Sequence, residues 1–287
     1  MFDFIIIIIA LVWLTIASVS DVKTTEVPNW LSFSLIVIAL SIFLFQSIIE
    51  KSFSPILGSL IGLVIFTIIG AGMYYSKQWG GADAKILMGL GALLHQYPEK
   101  LATVFSPNLN MPFLAIIFIN IFLAGAVYGL LISIALMIKE RKQFAKRFKE
   151  IYRKTKGVLI ILTLLAIIFI IVAIFFTQLT EIKIMLYFAG IFPLIFFNLF
   201  IAIKSIEKIS MEKIIDTKNL IEGDWVDEDI KVGNKLIYSK KSLGVNKEQI
   251  MLIQKHKKKV KIKAGIAFLP PFLIGTIISL IFGNLVF

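Results

Sequence analysis

Ala84-Lys-Ile-Leu-Met-Gly-Leu-Gly-Ala-Leu-Leu94 is a short apolar run, and how it is counted decides the fold. A bilayer core is about 30 Å thick, so a helix needs about 20 apolar residues to cross it. Seven longer runs approach that length: residues 4–20, 30–49, 55–75, 112–138, 158–177, 184–203 and 264–287. Adding 84–94 as an eighth, short span places both termini outside. Residues 21–29, 76–85, 139–156 and 204–263 then lie inside. These inside loops carry 27 of the 30 Lys and Arg, and only Lys51, Lys100 and Lys183 lie outside. Basic residues concentrate in cytoplasmic loops. A seven-span reading moves the nine cations of residues 139–156 to the wrong side, so eight spans are expected.

Composition points the same way. The chain has 287 residues, 58% hydrophobic and 17% charged, with a mean hydropathy of +0.90. A soluble domain carries about 25% charged residues. The expected class is therefore an all-α polytopic protein of the cytoplasmic membrane. Cysteine is absent, which removes disulfides, thiolate metal sites and cysteine nucleophiles together. The first apolar run has no basic segment ahead of it and reads as a span, not a cleaved signal. The net charge of +12 marks the cytoplasmic face and anionic headgroups, so no nucleic-acid partner is expected.

Residues 1–204 are expected to form the transmembrane bundle, 205–263 a small cytoplasmic α+β insert, and 264–287 the last span. Within residues 139–156, Phe144, Phe148, Ile151 and Tyr152 recur at helical spacing. That pattern fits a basic amphipathic helix at the headgroups or a charged extension of the neighbouring spans. In the insert, Leu220-Ile-Glu-Gly-Asp224 reads as a turn with Gly223 at positive φ. Residues 235–238 read as a strand, and Asn246 with Gln249 as a helix cap. Gly58, Gly62, Gly70 and Gly72 suit close helix contact. Pro270-Pro271 is expected to bend the start of the last span.

Charges are costly near hydrocarbon, so acids at span ends matter. Asp21 follows the first span in Ser20-Asp-Val-Lys-Thr-Thr-Glu-Val-Pro-Asn29. Asp83 precedes the short span in Trp79-Gly-Gly-Ala-Asp-Ala-Lys85. The topology puts both at the cytoplasmic face, although it was built from Lys and Arg alone. Singly, Asp83 reads as a helix cap and Asp21 as an exposed helix end. Together they offer what water-activating hydrolysis requires, because two close carboxylates share one proton. Gly80 and Gly81 allow a close approach or an unusual turn, and Pro28 sets the entry of the second helix. Lys85 reads as a residue that tunes the acids or binds a headgroup. His95 and His256 fall on different faces and do not form a two-His zinc site, so no metal is expected.

These segments resemble the type IV prepilin peptidases, the GxGD family of membrane aspartyl proteases, and are most similar to archaeal members acting on preflagellins and pilin-like precursors. The resemblance rests on Asp21 with Pro28-Asn29 downstream and on Gly80-Gly-Ala-Asp-Ala-Lys85. It covers residues 1–100 best, which would hold the catalytic core. It implies that Asp21 and Asp83 are catalytic, with Gly80, Gly81, Ala82, Lys85, Pro28 and Asn29 as surrounding motif positions. It also implies a membrane-inserted pilin-like or flagellin precursor as substrate, cut behind a short basic leader, without a cofactor. Ala82 stands where the motif name has Gly. The methylating domain of bifunctional relatives has no counterpart after the first span, so N-methyltransferase activity is not expected. The rival readings are a cation-coupled transporter using the two aspartates and a non-catalytic scaffold for pilin helices. The sequence does not specify an oligomeric state.

Overall fold

The computed structural model describes residues 2–210, 212–233, 235–240, 242–263 and 265–286. It is mainly helical and divides into two compact units. The first comprises residues 1–130 with 265–287, and the second residues 131–264.

In the first unit, α1 (Phe2–Thr24), α2 (Asn29–Glu50) and α3 (Ser54–Tyr75) are long and apolar enough to cross a membrane. So is α6 (Phe113–Lys139), which carries the chain on into the second unit. Each long helix of this unit buries a narrow stripe and exposes the rest of its apolar surface. On α1 the stripe is Ile6, Ala10, Leu14, Ala17, Ser18 and Asp21, at three- and four-residue spacing. Exposed Ile8, Val12, Ile16 and Val19 cover the other face. That distribution suits a lipid surround, in which apolar side chains face outward at no cost.

The short run at residues 84–94 becomes α4 (Gly81–Leu93). Nearly every residue from Asp83 to Leu93 is buried, because α2 and α3 pack closely on it. Small residues make this possible. A Cβ at Gly62 would strike the Gly91 carbonyl oxygen, and one at Gly70 would meet the Ala84 backbone at 3.1 Å. Gly72 has nothing within 4 Å and takes no part in such packing. A short helix α5 (Glu99–Phe105) follows, its Lys100 N–H held by the Asp3 carboxylate at 3.0 Å. Asp3 thus caps a helix at the end of α1 opposite to Asp21.

The last apolar run forms a shorter helix than its length suggests. Here α11 spans Leu269–Ile281, about 20 Å at 1.5 Å per residue. The prolines are its second and third residues, where a missing N–H costs nothing, so they start the helix and do not bend it. It ends where Asn108 pairs with the backbone of residues 282–284, and Gly283 accepts positive φ there.

The second unit holds two further helices of spanning length, α8 (Lys156–Phe175) and α9 (Thr180–Ser210), packed on each other. Before them lies α7 (Arg141–Lys154). A small polar subdomain follows. Strand β1 (Glu212–Asp216) pairs antiparallel with β4 (Lys259–Lys263), and β2 (Ile230–Val232) pairs with β3 (Lys235–Tyr238). Between β3 and β4, α10 (Lys247–His256) is capped as the sequence predicts: Asn246 Oδ1 accepts from Gln249 N–H and the Gln249 side chain returns the bond. Gly223 has φ +99° in the expected turn. Leu220, Val226, Ile230, Tyr238, Ile253 and Val260 form its core.

Candidate active site

Asp21 lies in the last turn of α1, on the buried stripe, at 8% exposure. Its Oδ2 accepts the backbone N–H of Leu269 at 3.0 Å, and the Phe268 N–H also points to it. The reason is local. Residues 268–272 begin α11, whose first turn carries unpaired donors, and the positive end of a helix attracts a carboxylate. With Pro270 and Pro271 lacking an N–H, the donors before them fall to this one side chain.

Asp83 is the third residue of α4, at 9% exposure. It reaches back, and its Oδ2 accepts the Gly80 N–H at 3.0 Å. Gly80 precedes the helix with φ −70° and ψ 163°, an extended conformation open to any residue. What Gly80 supplies is space, since a Cβ there would lie 3.3 Å from Asp83 Oδ2. The reversal of chain direction falls instead on Lys77, at φ +59°, where Lys77 and Gln78 N–H close the end of α3 on Tyr74 and Met73 carbonyls. Gly81 and Ala82 form the first turn of α4, with Gly81 facing the Tyr74 ring.

Helices α1 and α4 touch, and Asp83 lies within reach of the Asp21 charge. Tyr128 of α6 also lies within reach of the Asp21 charge. Two groups taken from stretches 62 positions apart therefore share one end of the first unit. Among the described residues, no group of three His, Asp or Glu side chains is placed to hold a metal.

The other motif residues tie the segments together. Lys85 Nζ donates to Asn29 Oδ1 at 2.7 Å and sits 5.4 Å from the Phe33 ring centre. This joins the second turn of α4 to the first residue of α2, just after Pro28, which precedes that helix in an extended conformation. Lys85 thus engages Asn29, not Asp83. Glu26 is exposed, and its carbonyl ties the α1–α2 loop to Ser20 and Thr24.

A set of contacts that the sequence did not signal surrounds Trp79. Its ring packs on Phe268 at 5.9 Å, Phe272 at 5.1 Å, Phe122 at 5.9 Å and Phe118 at 6.2 Å. Trp79 leads into Gly80 and Asp83; Phe268 leads into the Leu269 N–H on Asp21. One aromatic cluster thus fixes the segments that hold both carboxylates. A Cβ at Gly125 would strike the Phe268 ring at 2.6 Å, so α6 leaves room for that ring. A separate apolar cleft of about 440 Å³ between α3 and α6, lined by Ile65, Phe66, His95 and Phe118 among others, contains neither aspartate.

Residues 8–134 match the type IV leader peptidase family. The leader-peptidase match includes Asp21, Asp83 and the whole Trp79–Lys85 segment, and reaches past residue 100 into α6. It stops short of residues 265–287, although these pack into the same unit and supply the partner of Asp21. Among curated relatives, the preflagellin peptidase of Methanococcus voltae is 34% identical over 131 residues, 46% of this chain and 56% of the relative. That of Methanococcus maripaludis is 29% identical over 132 residues, 46% and 57% of the two chains. That of Methanocaldococcus jannaschii is 25% identical over 132 residues. The chain thus spans a little over half the length of the curated relatives it matches. No solved structure matches it.

Proposed function

We propose that this chain is a membrane aspartyl endopeptidase that removes the short basic leader from a type IV pilin-like or flagellin precursor, using Asp21 and Asp83. The observation that carries the proposal is the convergence of two buried acids, each anchored through one carboxylate oxygen to a backbone N–H at a helix start, inside the leader-peptidase match. The relatives are named for preflagellin processing, which supports the same class of substrate.

The chemistry follows from two like charges at close range. One carboxyl keeps a proton while the other is ionised, and the pair titrates as a unit. The ionised carboxylate takes a proton from water as the oxygen attacks the scissile carbonyl carbon. The protonated carboxyl donates to the carbonyl oxygen. The tetrahedral adduct then collapses with rupture of the C–N bond: the proton taken from water passes to the departing amine, and one hydroxyl of the adduct returns its proton to the second carboxylate as the carbonyl re-forms. Anchoring by Gly80 and Leu269 N–H fixes both carboxylates before substrate arrives.

The basic loops argue that this end of the unit is cytoplasmic, where a basic leader stays behind as its apolar helix inserts. The active face and the 205–263 insert are then cytoplasmic, and both termini are outside. The test is direct: the purified chain in lipid vesicles is incubated with candidate precursors, and the new N-termini are sequenced. A single new N-terminus at the boundary between basic leader and apolar helix supports the proposal, and intact precursors refute it.

A further inference from the structure

Helix α7 has features that the peptidase reading does not use. It connects to α6 through Glu140 alone and to α8 through Thr155 alone. Both neighbours are long and apolar enough to cross a membrane, so α7 is held where they leave the lipid. A helix tethered at both ends in this way cannot move far into water.

Its two faces differ sharply. Phe144, Phe148 and Tyr152 stack at 5.6 and 6.1 Å along one side, with Ile151 beside them. The opposite side carries Lys142, Lys146, Lys149 and Arg153; Arg147 and Lys154 flank it beside a single acid, Glu150, and Arg141 falls at helical spacing with Phe144 and Phe148. Glu150 takes up Arg147 and Lys154, each at 3.1 Å. Arg141, Lys142, Lys146, Lys149 and Arg153 have no carboxylate at ion-pair distance among the described residues. No residue of α7 is buried.

We infer that α7 is a binding helix for anionic phospholipid headgroups. Its cations meet the lipid phosphates while its aromatic stripe faces the acyl boundary, and the helix rests on α9. Charge complementarity selects the occupant: Lys and Arg pair with phosphate, and each cation near an anionic leaflet adds to the attraction. The tether selects a lipid surface over an acidic protein, because headgroups are already present at the depth where α7 is held.

The test uses the whole chain in phosphatidylcholine vesicles containing a minority of phosphatidylglycerol. Spin-labelled versions of each lipid report their relative association with the protein. Phosphatidylglycerol is expected to be preferred about threefold or more at low salt, with the preference shrinking at about 1 M salt. The quadruple variant Lys142→Gln, Lys146→Gln, Lys149→Gln, Arg153→Gln is expected to fall toward parity. Glutamine and lysine have similar helix propensity, so circular dichroism should match the parent. The triple variant Lys142→Arg, Lys146→Arg, Lys149→Arg keeps the preference. Equal association of both lipids with the parent protein overturns the inference, as does an undiminished preference in the glutamine variant. Binding of an acidic peptide in place of phosphatidylglycerol overturns it too.

Discussion

The carboxylate of Asp21 and the backbone N–H of Leu269 are joined at 3.0 Å across 248 residues of chain. One side chain therefore serves as a candidate reacting group and as the anchor of the last helix. These duties separate by substitution. Asp21→Ala removes the acceptor, and loss of a helix-start acceptor costs about 1 kcal/mol. Hydrogen exchange at Leu269 and Phe272 is expected to rise about fivefold, since that energy corresponds to such a factor. Asp21→Asn retains an acceptor oxygen and is expected to leave exchange near the parent rate.

Close helix packing gives a second test. A Cβ at Gly275 would lie 2.6 Å from the Ile121 backbone, so Gly275→Ala forces α11 away from α6. Overpacking of this kind costs about 1–3 kcal/mol, read as a lowered unfolding temperature. Gly72→Ala is the control. Nothing lies within 4 Å of that position, and alanine is the better helix former by about 0.5–1 kcal/mol, so the transition should hold or rise.

The insert has an acid-sensitive tie. The Lys240 ammonium, 2.8 Å from Asp227, holds that carboxyl below its usual value, with Lys261 adding to the effect. A carboxyl depressed by folding stabilises fully above its unfolded value, near pH 4. The contribution is lost as pH falls through the lower folded value. Hydrogen-exchange protection of residues 212–263 in the whole chain is therefore expected to drop between about pH 5 and 3. Asp227→Asn should lose less protection over the same range. Burial pushes Asp224 the opposite way, so the difference between parent and variant is the quantity to compare.

Local signals were legible in the sequence where one short segment carries the whole cause. The apolar runs marked the long helices, and Asn246 with Gln249 marked a cap; residues 84–94 read as a short span, and that α2 and α3 enclose the helix they form was not legible. Relations between distant segments were not. Nothing near Asp21 announces that it will hold the Leu269 N–H, and nothing near Trp79 announces Phe268 and Phe272. The tandem prolines illustrate the difference. Read alone they suggest a bend; with a carboxylate collecting the donors before them, they mark the first turn of a shorter helix.

The most direct measurement is precursor cleavage by Asp21→Asn and Asp83→Asn, each purified and reconstituted, beside the parent protein. Proton transfer by a placed side chain contributes about 10²–10⁴-fold, so each variant is expected to lose at least that much rate while keeping its helix content and thermal transition. Cleavage by either folded variant at a rate close to the parent's would contradict the account.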